Sequence, residues 1–235
     1  MSYQILDIKE LPMKKIWMPD NIGFVELIGT FGDDLTVVNA ARVSFDKTSL
    51  SLTEADKKLI RYLAKHEHTS PFFHPQVRFR IKMPIFVARE WYRHTIGFAR
   101  NEVSRRYVDS PPECWVPAAE SIRERDKKVK QGSKDTPVHD ADMIEATLRN
   151  HINDTVLLYN NLLEQNVAPE VARCILPQSM YTEFIETASL AAVARLCGLR
   201  LGADAQKEIR DYANIVHEMM MDAFPVSWEA LGKQD

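Results

Sequence analysis

Residues 76–84, QVRFRIKMP, alternate Val77, Phe79, Ile81 and Met83 with Arg78, Arg80 and Lys82. A period of two is the pattern of a half-exposed β-strand, apolar toward a core and basic toward solvent. Pro84 then opens PIFVAREWYRH at the position where a helix tolerates proline, since the first-turn N–H has no intrahelical partner. The chain therefore changes period within one decapeptide, which a fold made only of strands or only of helices does not accommodate.

The flanking segments fit the same picture. GFVELIGTFG (23–32) reads as a strand between glycines, and LTVVNAARVSF (35–45) as a short helix. TEADKKLIRYLAKHEH (53–68) opens on Thr53, a good N-cap, with Leu59, Ile60 and Leu63 at helical spacing. Downstream, helices are predicted over 141–165, 168–175, 187–197 and 204–223, with Gly198 as the residue just past one helix end and Gly202 punctuating the next. No repeat of 20–50 residues occurs. Residues 117–142 are charged, poor in large apolar groups and broken by Gly132 and Pro137, and they read as a mobile charged excursion. The expected class is α+β: one domain over 1–235, a small sheet with many helices.

Composition narrows the function. The 235 residues carry a net charge of −3, which argues against general nucleic-acid binding. No apolar run reaches 18 residues, so no membrane span is expected, and MSYQILDIKELPMKK lacks the pattern of a signal peptide. Cys114, Cys174 and Cys197 form no CxxC pair, which fits a reduced, cytoplasmic setting.

Against that balance, EWYRHTIGFARNEVSRRYVDSPPE (90–113) concentrates Arg93, Arg100, Arg105 and Arg106, with Arg89 just upstream. Arg89 and Arg93 fall one helical turn apart, and Ser104 adds a neutral donor beside Arg105 and Arg106. Guanidinium forks with a hydroxyl suit phosphate, so a nucleotide pocket is favoured over a solvated basic face. Arg173 and Arg200 sit in apolar runs and need anionic partners, either internal carboxylates or the same bound anion. His66, His68 and His74 lack a further clustered ligand for a tetrahedral set, so no metal is expected. GxGxxG and GxxxxGK[ST] are both absent, which removes a Rossmann site and a P-loop. Cys114 is the most plausible reactive thiol, yet nothing in its sequence neighbourhood lowers its pKa. Donors and charge without acid–base machinery suit a cofactor that brings its own chemistry.

Arg93-His94-Thr95, followed by Asn101-Glu102, Ser104 and Arg106-Tyr107, resembles the signature of the flavin-dependent thymidylate synthases. GFVELIGTFGDDLTVVNAARVSF, IRYLAKHEHTSPFFH, MPIFVAREWYRH, VAPEVARCILP and LRLGADAQKEI look like family segments in the family's order, covering most of the chain except 111–142. The resemblance implies a homotetramer that methylates a uridylate at C5. Methylenetetrahydrofolate would give the carbon and FAD, reduced by NADPH, the hydride. It implies that Arg89, Glu90, Arg93, Glu102, Val103, Ser104, Arg105, Arg106 and Arg173 surround the nucleotide. Arg200 would be catalytic, stabilising charge on the uracil ring. His68, Ser70, Arg93, His94, Thr95, Glu102, Ser189 and Arg195 would lie against the flavin.

The chain departs from the family at several of these places. Thr95 replaces the triplet's second arginine, and one extra residue separates the triplet from Asn101-Glu102. Glu90 replaces a usual glutamine; Ser189, Ala191 and Arg195 stand where asparagine, arginine and asparagine are common, and Asp204 where a histidine often is. A carboxylate at Glu90 can accept a ribose 2′-hydroxyl, so the pocket is expected to admit UMP as well as dUMP. The competing readings are a uridylate C5-hydroxymethylase on the same fold and a nucleotide-binding module without flavin chemistry. A cysteine-dependent thymidylate synthase is disfavoured for want of a nucleophile.

Overall fold

The computed structural model describes residues 14–108, 110–127 and 132–232; the start of the segment read for a signal peptide lies outside them. Five strands form an antiparallel sheet in the order β1-β2-β3-β7-β4. They are β1 (Lys14–Trp17), β2 (Phe24–Phe31), β3 (Gln76–Pro84), β4 (Phe98–Glu102) and β7 (Tyr181–Ser189). The alternating segment is β3, at the centre. Its Val77, Phe79, Ile81 and Met83 are buried, and it pairs along its whole length with β7, from Gln76 opposite Ser189 to Pro84 opposite Tyr181. On the other face Arg80 meets Glu183 at 2.5 Å and Lys82 meets Glu113, while Arg78 donates to the Thr187 hydroxyl at 3.2 Å. The basic stripe is thus matched by acids and a hydroxyl from neighbouring segments, which stabilises adjacent chains of a sheet.

The helices are α1 (Asp34–Arg42), α2 (Glu54–Lys65), α3 (Ile85–Trp91), α4 (Ala141–Glu164), α5 (Pro169–Ala172), α6 (Leu190–Arg200), α7 (Lys207–Ala223) and α8 (Pro225–Gly232). One apolar cluster joins the inner sheet face to α1, α2, α3, α6, α7 and α8, through Val37, Ile60, Trp91, Leu196, Met219 and Trp228 among others. Burying each large side chain contributes on the order of 1.5–3 kcal/mol. Buried Asp34 accepts from the Val226 and Ser227 N–H groups at 3.0 and 2.8 Å, so α1 satisfies the open first turn of α8.

Thr53 is the N-cap of α2, in a capping box with Asp56. The same Asp56 carboxylate, fully buried, receives Arg42 at 2.5 Å and Ser49 at 3.0 Å. The helix stops at Lys65 rather than running to 68. Glu67 adopts φ 55°, and the N–H groups of Glu67 and His68 return to Ala64 and Leu63, the pairing that closes a helix through a left-handed residue.

Three expectations need correction. Residues 187–189 belong to β7, not to a helix, and α6 begins only at Leu190. The alternation of β7 is hidden because its inward residues include the polar Thr182 and Glu186. Gly198 does not end α6, which continues to Arg200 with Leu201 as its C-cap; a Cβ on Gly198 would meet nothing within 4 Å, so no contact or backbone angle demands glycine there. Strands β1 and β4, four and five residues long, were not foreseen at all. Within the charged segment 117–142 lies a hairpin of β5 (Arg123–Arg125) and β6 (Ser133–Pro137), tied to the body by Arg123–Glu208 at 2.8 Å and by the Ala119 N–H donating to Glu145 at 2.9 Å.

Burial opposes ionisation of Asp56, but the hydrogen bonds from Thr53, Arg42 and Ser49 together hold its carboxyl below the usual range. A depressed folded-state pKa adds stability that is complete above the unfolded value and is lost as pH falls through the folded one. Asp56→Asn is therefore expected to lower unfolding stability by about 3 kcal/mol at pH 7, as loss of one partner of a buried pair does. Urea melts at pH 7, 5 and 3 should show the gap between variant and parent constant down to about pH 4 and shrinking below it.

Candidate active site

Helix α3 ends at Trp91 with Tyr92 as its C-cap, so Arg89 lies in its last turn and Arg93 just beyond it, both exposed. The chain then turns to place His94 in the interior, 8% exposed. From the other side α6 delivers Arg200 at its last position, where the carbonyl end of a helix favours a cation. Arg200 Nε donates to His94 Nε2 at 3.1 Å; its Nη1 lies 3.4 Å from Glu90 Oε2, and its Nη2 donates to the Glu90 carbonyl at 3.2 Å. Glu90, His94 and Arg200, 110 residues apart in the chain, thus form one cluster. The guanidinium is held on several sides, which aims it without further ordering.

Burial, then the charges of Arg200, Arg100, Arg195 and Arg93, lower the His94 pKa from 6.5 to about 4. The ring is neutral at pH 7, so Nε2 is free to accept from Arg200 and the proton sits on Nδ1. Arg195 is itself anchored by donation to the Ile96 carbonyl at 2.6 Å. Gly97 has φ 81°, and a Cβ there would lie 2.8 Å from Ser189 Oγ and 2.9 Å from Ala192 Cβ, so only glycine fits this turn.

A second cluster lies on the segment after β4. Ser104 Oγ accepts from the Arg106 N–H at 3.3 Å, and the Ser104 carbonyl accepts from Tyr107, making a tight turn. Arg106 reaches Glu170 of α5 at 3.7 Å, three residues before the exposed Arg173. Arg105 is spent on the Ser110 carbonyl. Val103 and Arg105 instead border a cleft of about 670 Å³ on the outer sheet face, with Glu102 at its edge. Glu102 accepts from the Thr182 hydroxyl at 2.5 Å.

Of the residues expected against a flavin, His68, Ser70, Thr95 and Arg93 are exposed, while Ser189 is buried with its hydroxyl capping α6. Thr69, Ala191 and Arg195 line a mostly apolar cavity of about 670 Å³ that runs inward to His217 and Trp228. Asp204 lies in the turn between α6 and α7. Cys114 is half-buried, and burial pushes its thiol up to about 11, the opposite of nucleophile activation. His66 and His68 lie 6.5 Å apart in ring centroids, and no three His, Cys, Asp or Glu side chains group as metal ligands among the described residues.

Three residues of the neighbourhood escaped sequence reasoning: Arg100, Glu186 and Tyr92. Arg100 was visible as an arginine without an assigned partner, and Glu186 lay just before the predicted helix 187–197, in a stretch given no element. Tyr92 packs edge-on against Phe184 at 5.1 Å.

Residues 26–226 match the family described as thymidylate synthase complementing protein. A flavin-dependent thymidylate synthase of Kosmotoga olearia is 42% identical over 211 residues, covering 88% of this chain and 89% of that relative. The chain belongs to the flavin-dependent thymidylate synthase family. A second such enzyme, from Thermus thermophilus, is 39% identical over 208 residues, 88% of this chain and 75% of the relative. Among solved structures, the UMP/dUMP methylase PolB of Streptomyces cacaoi bound with 5-Br dUMP superposes with a TM-score of 0.79 at 30% identity, covering 88% of this chain and 93% of that one. The same enzyme with 5-Br UMP gives 0.77. The fold is accordingly α+β of the family's own type, and the chain is a methyltransferase-type enzyme of that family.

Because the folded state lowers the His94 pKa, the unfolded chain binds an extra proton between about pH 6.5 and pH 4, and this residue's contribution to stability declines as pH falls through that window. An imidazole NMR titration should show one histidine still neutral at pH 5, absent from His94→Asn.

Proposed function

We propose that this chain, as one domain over 1–235, transfers a methyl group to C5 of a uridylate, accepting UMP as well as dUMP. Methylenetetrahydrofolate supplies the carbon, and FAD reduced by NADPH supplies the hydride. The observation that carries the reading is the sorting of the arginines. Arg42, Arg80, Arg100 and Arg123 are matched to carboxylates inside the fold. Arg89, Arg93 and Arg173 are exposed and join no ion pair among the described residues. Unspent forks of this kind, with Arg173 three residues beyond the Glu170 that Arg106 reaches, fit a nucleotide phosphate. Arg200, clamped between Glu90 and His94, is aimed where charge develops as uracil C5 becomes nucleophilic.

The donor set also fits an anionic dinucleotide cofactor: Arg93 supplies charge with no ion-pair partner among the described residues, and His68, Ser70 and Thr95 supply exposed donors. Ser189 is buried and its Oγ accepts from the Ala192 N–H, which leaves only its O–H hydrogen to donate. Neutral His94 holds Arg200 without itself offsetting the guanidinium charge. Glu90 serves the sugar: its carboxylate shares Arg200 through one oxygen and accepts the 2′-hydroxyl of a ribonucleotide. PolB is a UMP/dUMP methylase, which is in keeping with a pocket open to either nucleotide.

We place the active enzyme in a cytoplasmic homotetramer of small-molecule chemistry, without nucleic acid or membrane. Helix α4 supports the assembly: over 24 residues only Tyr159 is buried, while Met143, Leu157 and Leu158 stand 64%, 60% and 50% exposed. A long helix with unsatisfied apolar surface is an interaction face. Light scattering should give four chains for the parent, and Leu157→Glu with Leu158→Glu should reduce that number.

Anaerobic incubation with reduced FAD, methylenetetrahydrofolate and equal dUMP and UMP should yield both methylated nucleotides by mass spectrometry. Arg200→Ala should lower kcat by about 10²–10³, the loss typical of one charge-stabilising group. Glu90→Gln should shift the product ratio toward dUMP. An unchanged ratio would remove the role given to Glu90, and neither product gaining a carbon would remove the methylase reading.

A further inference from the structure

We infer that Arg100 and Glu186 are a buried positioning pair that holds the loop carrying His94, and through His94 sets the aim of Arg200. The proposal rests on the role given to Arg200 above.

The pair follows from the pleat of the sheet. In β7 the even positions Thr182, Phe184, Glu186 and Ala188 face inward, and β4 lies alongside with Arg100 directly opposite Glu186. A carboxylate 1% exposed in this position needs a counter-charge and further donors. Arg100 Nε donates to Glu186 Oε2, and the Trp91 indole N–H donates to both carboxylate oxygens at 3.2 and 3.3 Å. Burial raises the Glu186 pKa, and the charges and bonds of Arg100 and Trp91 oppose that rise.

Arg100 does more than neutralise Glu186. Its Nη1 donates to the His94 carbonyl at 2.7 Å, and its Cζ lies 4.7 and 5.3 Å from the centroids of the Phe98 and Tyr92 rings. One rigid fork therefore spans from the sheet to the loop. His94 is fixed by its carbonyl on Arg100 and by its ring on Arg200. Gly97 closes the loop against Ser189 and Ala192. A misaim of about 1 Å at a reacting group lowers turnover about 10²-fold, so a strut that sets this loop bears on rate.

The location is informative. Arg100 lies in the segment that is one residue longer than the family pattern, following the triplet whose second arginine is Thr95 here. A lengthened loop without that arginine needs another tether, and the Arg100 fork supplies one from below.

A merely structural ion pair is replaceable by apolar groups of similar size; a positioning fork is not. A lysine at position 100 keeps the charge but cannot bond Glu186 and the His94 carbonyl with one planar group. Two variants test this: Arg100→Lys, and the double substitution Arg100→Leu with Glu186→Leu, which leaves no buried charge unpaired and guards against misfolding. Each is compared with the parent by circular dichroism, steady-state kinetics with UMP and dUMP, and imidazole NMR.

The folded variants are expected to lose about tenfold in kcat with nucleotide KM within about threefold. The His94 pKa should climb from about 4 toward 6.5 as the ring leaves Arg200. In Arg100→Lys the cations facing His94 from every side persist (Arg200 and Arg195 on α6, Arg93 after α3, and position 100 on β4), so such a climb reports geometry rather than lost charge. An unmoved His94 titration in Arg100→Lys overturns the proposal, as does a moved titration with unchanged kcat. Should the parent itself methylate no uridylate, the proposed function falls, and the His94 titration alone still decides whether the pair positions the loop.

Discussion

The inner face of this sheet is apolar except where β7 turns Thr182 and Glu186 inward, and the surroundings of the Glu186 carboxylate organise this side of the molecule. Strand alternation leaves it no choice of direction, because moving its side chain to the outer face would also expose Phe184 and Ala188. An ionised carboxyl in such a place must be met by charge and donors. Trp91 from α3 and Arg100 from β4 meet it, which draws the end of the helix and the edge strand to the same point. The loop between them carries His94, so a requirement of the interior becomes a constraint on the site.

The arginine content resolves along the same lines. A slightly acidic chain can carry locally unpaired arginines when others are neutralised by neighbouring carboxylates. Arg42 is absorbed by Asp56 beneath the loop after α1, Arg80 by Glu183 on the outer sheet face, and Arg123 by Glu208 under the hairpin. Arg89 on α3, Arg93 just beyond it and Arg173 stay exposed, without an ion pair among the described residues. The buried pairs among the neutralised arginines add little net stability, since desolvation offsets attraction.

Much of this was legible in the chain. The period-two run at 76–84 was read as a half-buried strand and is one, and the Thr53 cap was found because a hydroxyl before an apolar-periodic run has a local cause. Elements with non-local causes were missed. The five residues of β4 carry Phe98, Arg100 and Glu102 on one side, a pattern with no hydrophobic period; they are a strand because β7 offers them hydrogen bonds. The end of α2 was misplaced because a glutamate, not a glycine, takes the left-handed position at 67. Family segments in order pointed to the candidate residues, but not to the internal bonds of Arg105 to the Ser110 carbonyl and of Ser189 Oγ to the first turn of α6.

The sequence by itself determined the local structure and the chemical inventory: where the central strand lies, where α2 begins, and that arginines, a histidine and a serine are available without a nucleophile. Those are properties of neighbouring residues, governed by periodicity, capping and side-chain type. Only the tertiary structure decided which arginines are spent and which are free, and that Glu90, His94 and Arg200 share one point. A guanidinium's role depends on which carboxylate or carbonyl lies within about 3 Å of it, and across separations of 86 residues for Arg100–Glu186 and 110 for Glu90–Arg200 that partner is chosen by the register of strands and the packing of helices.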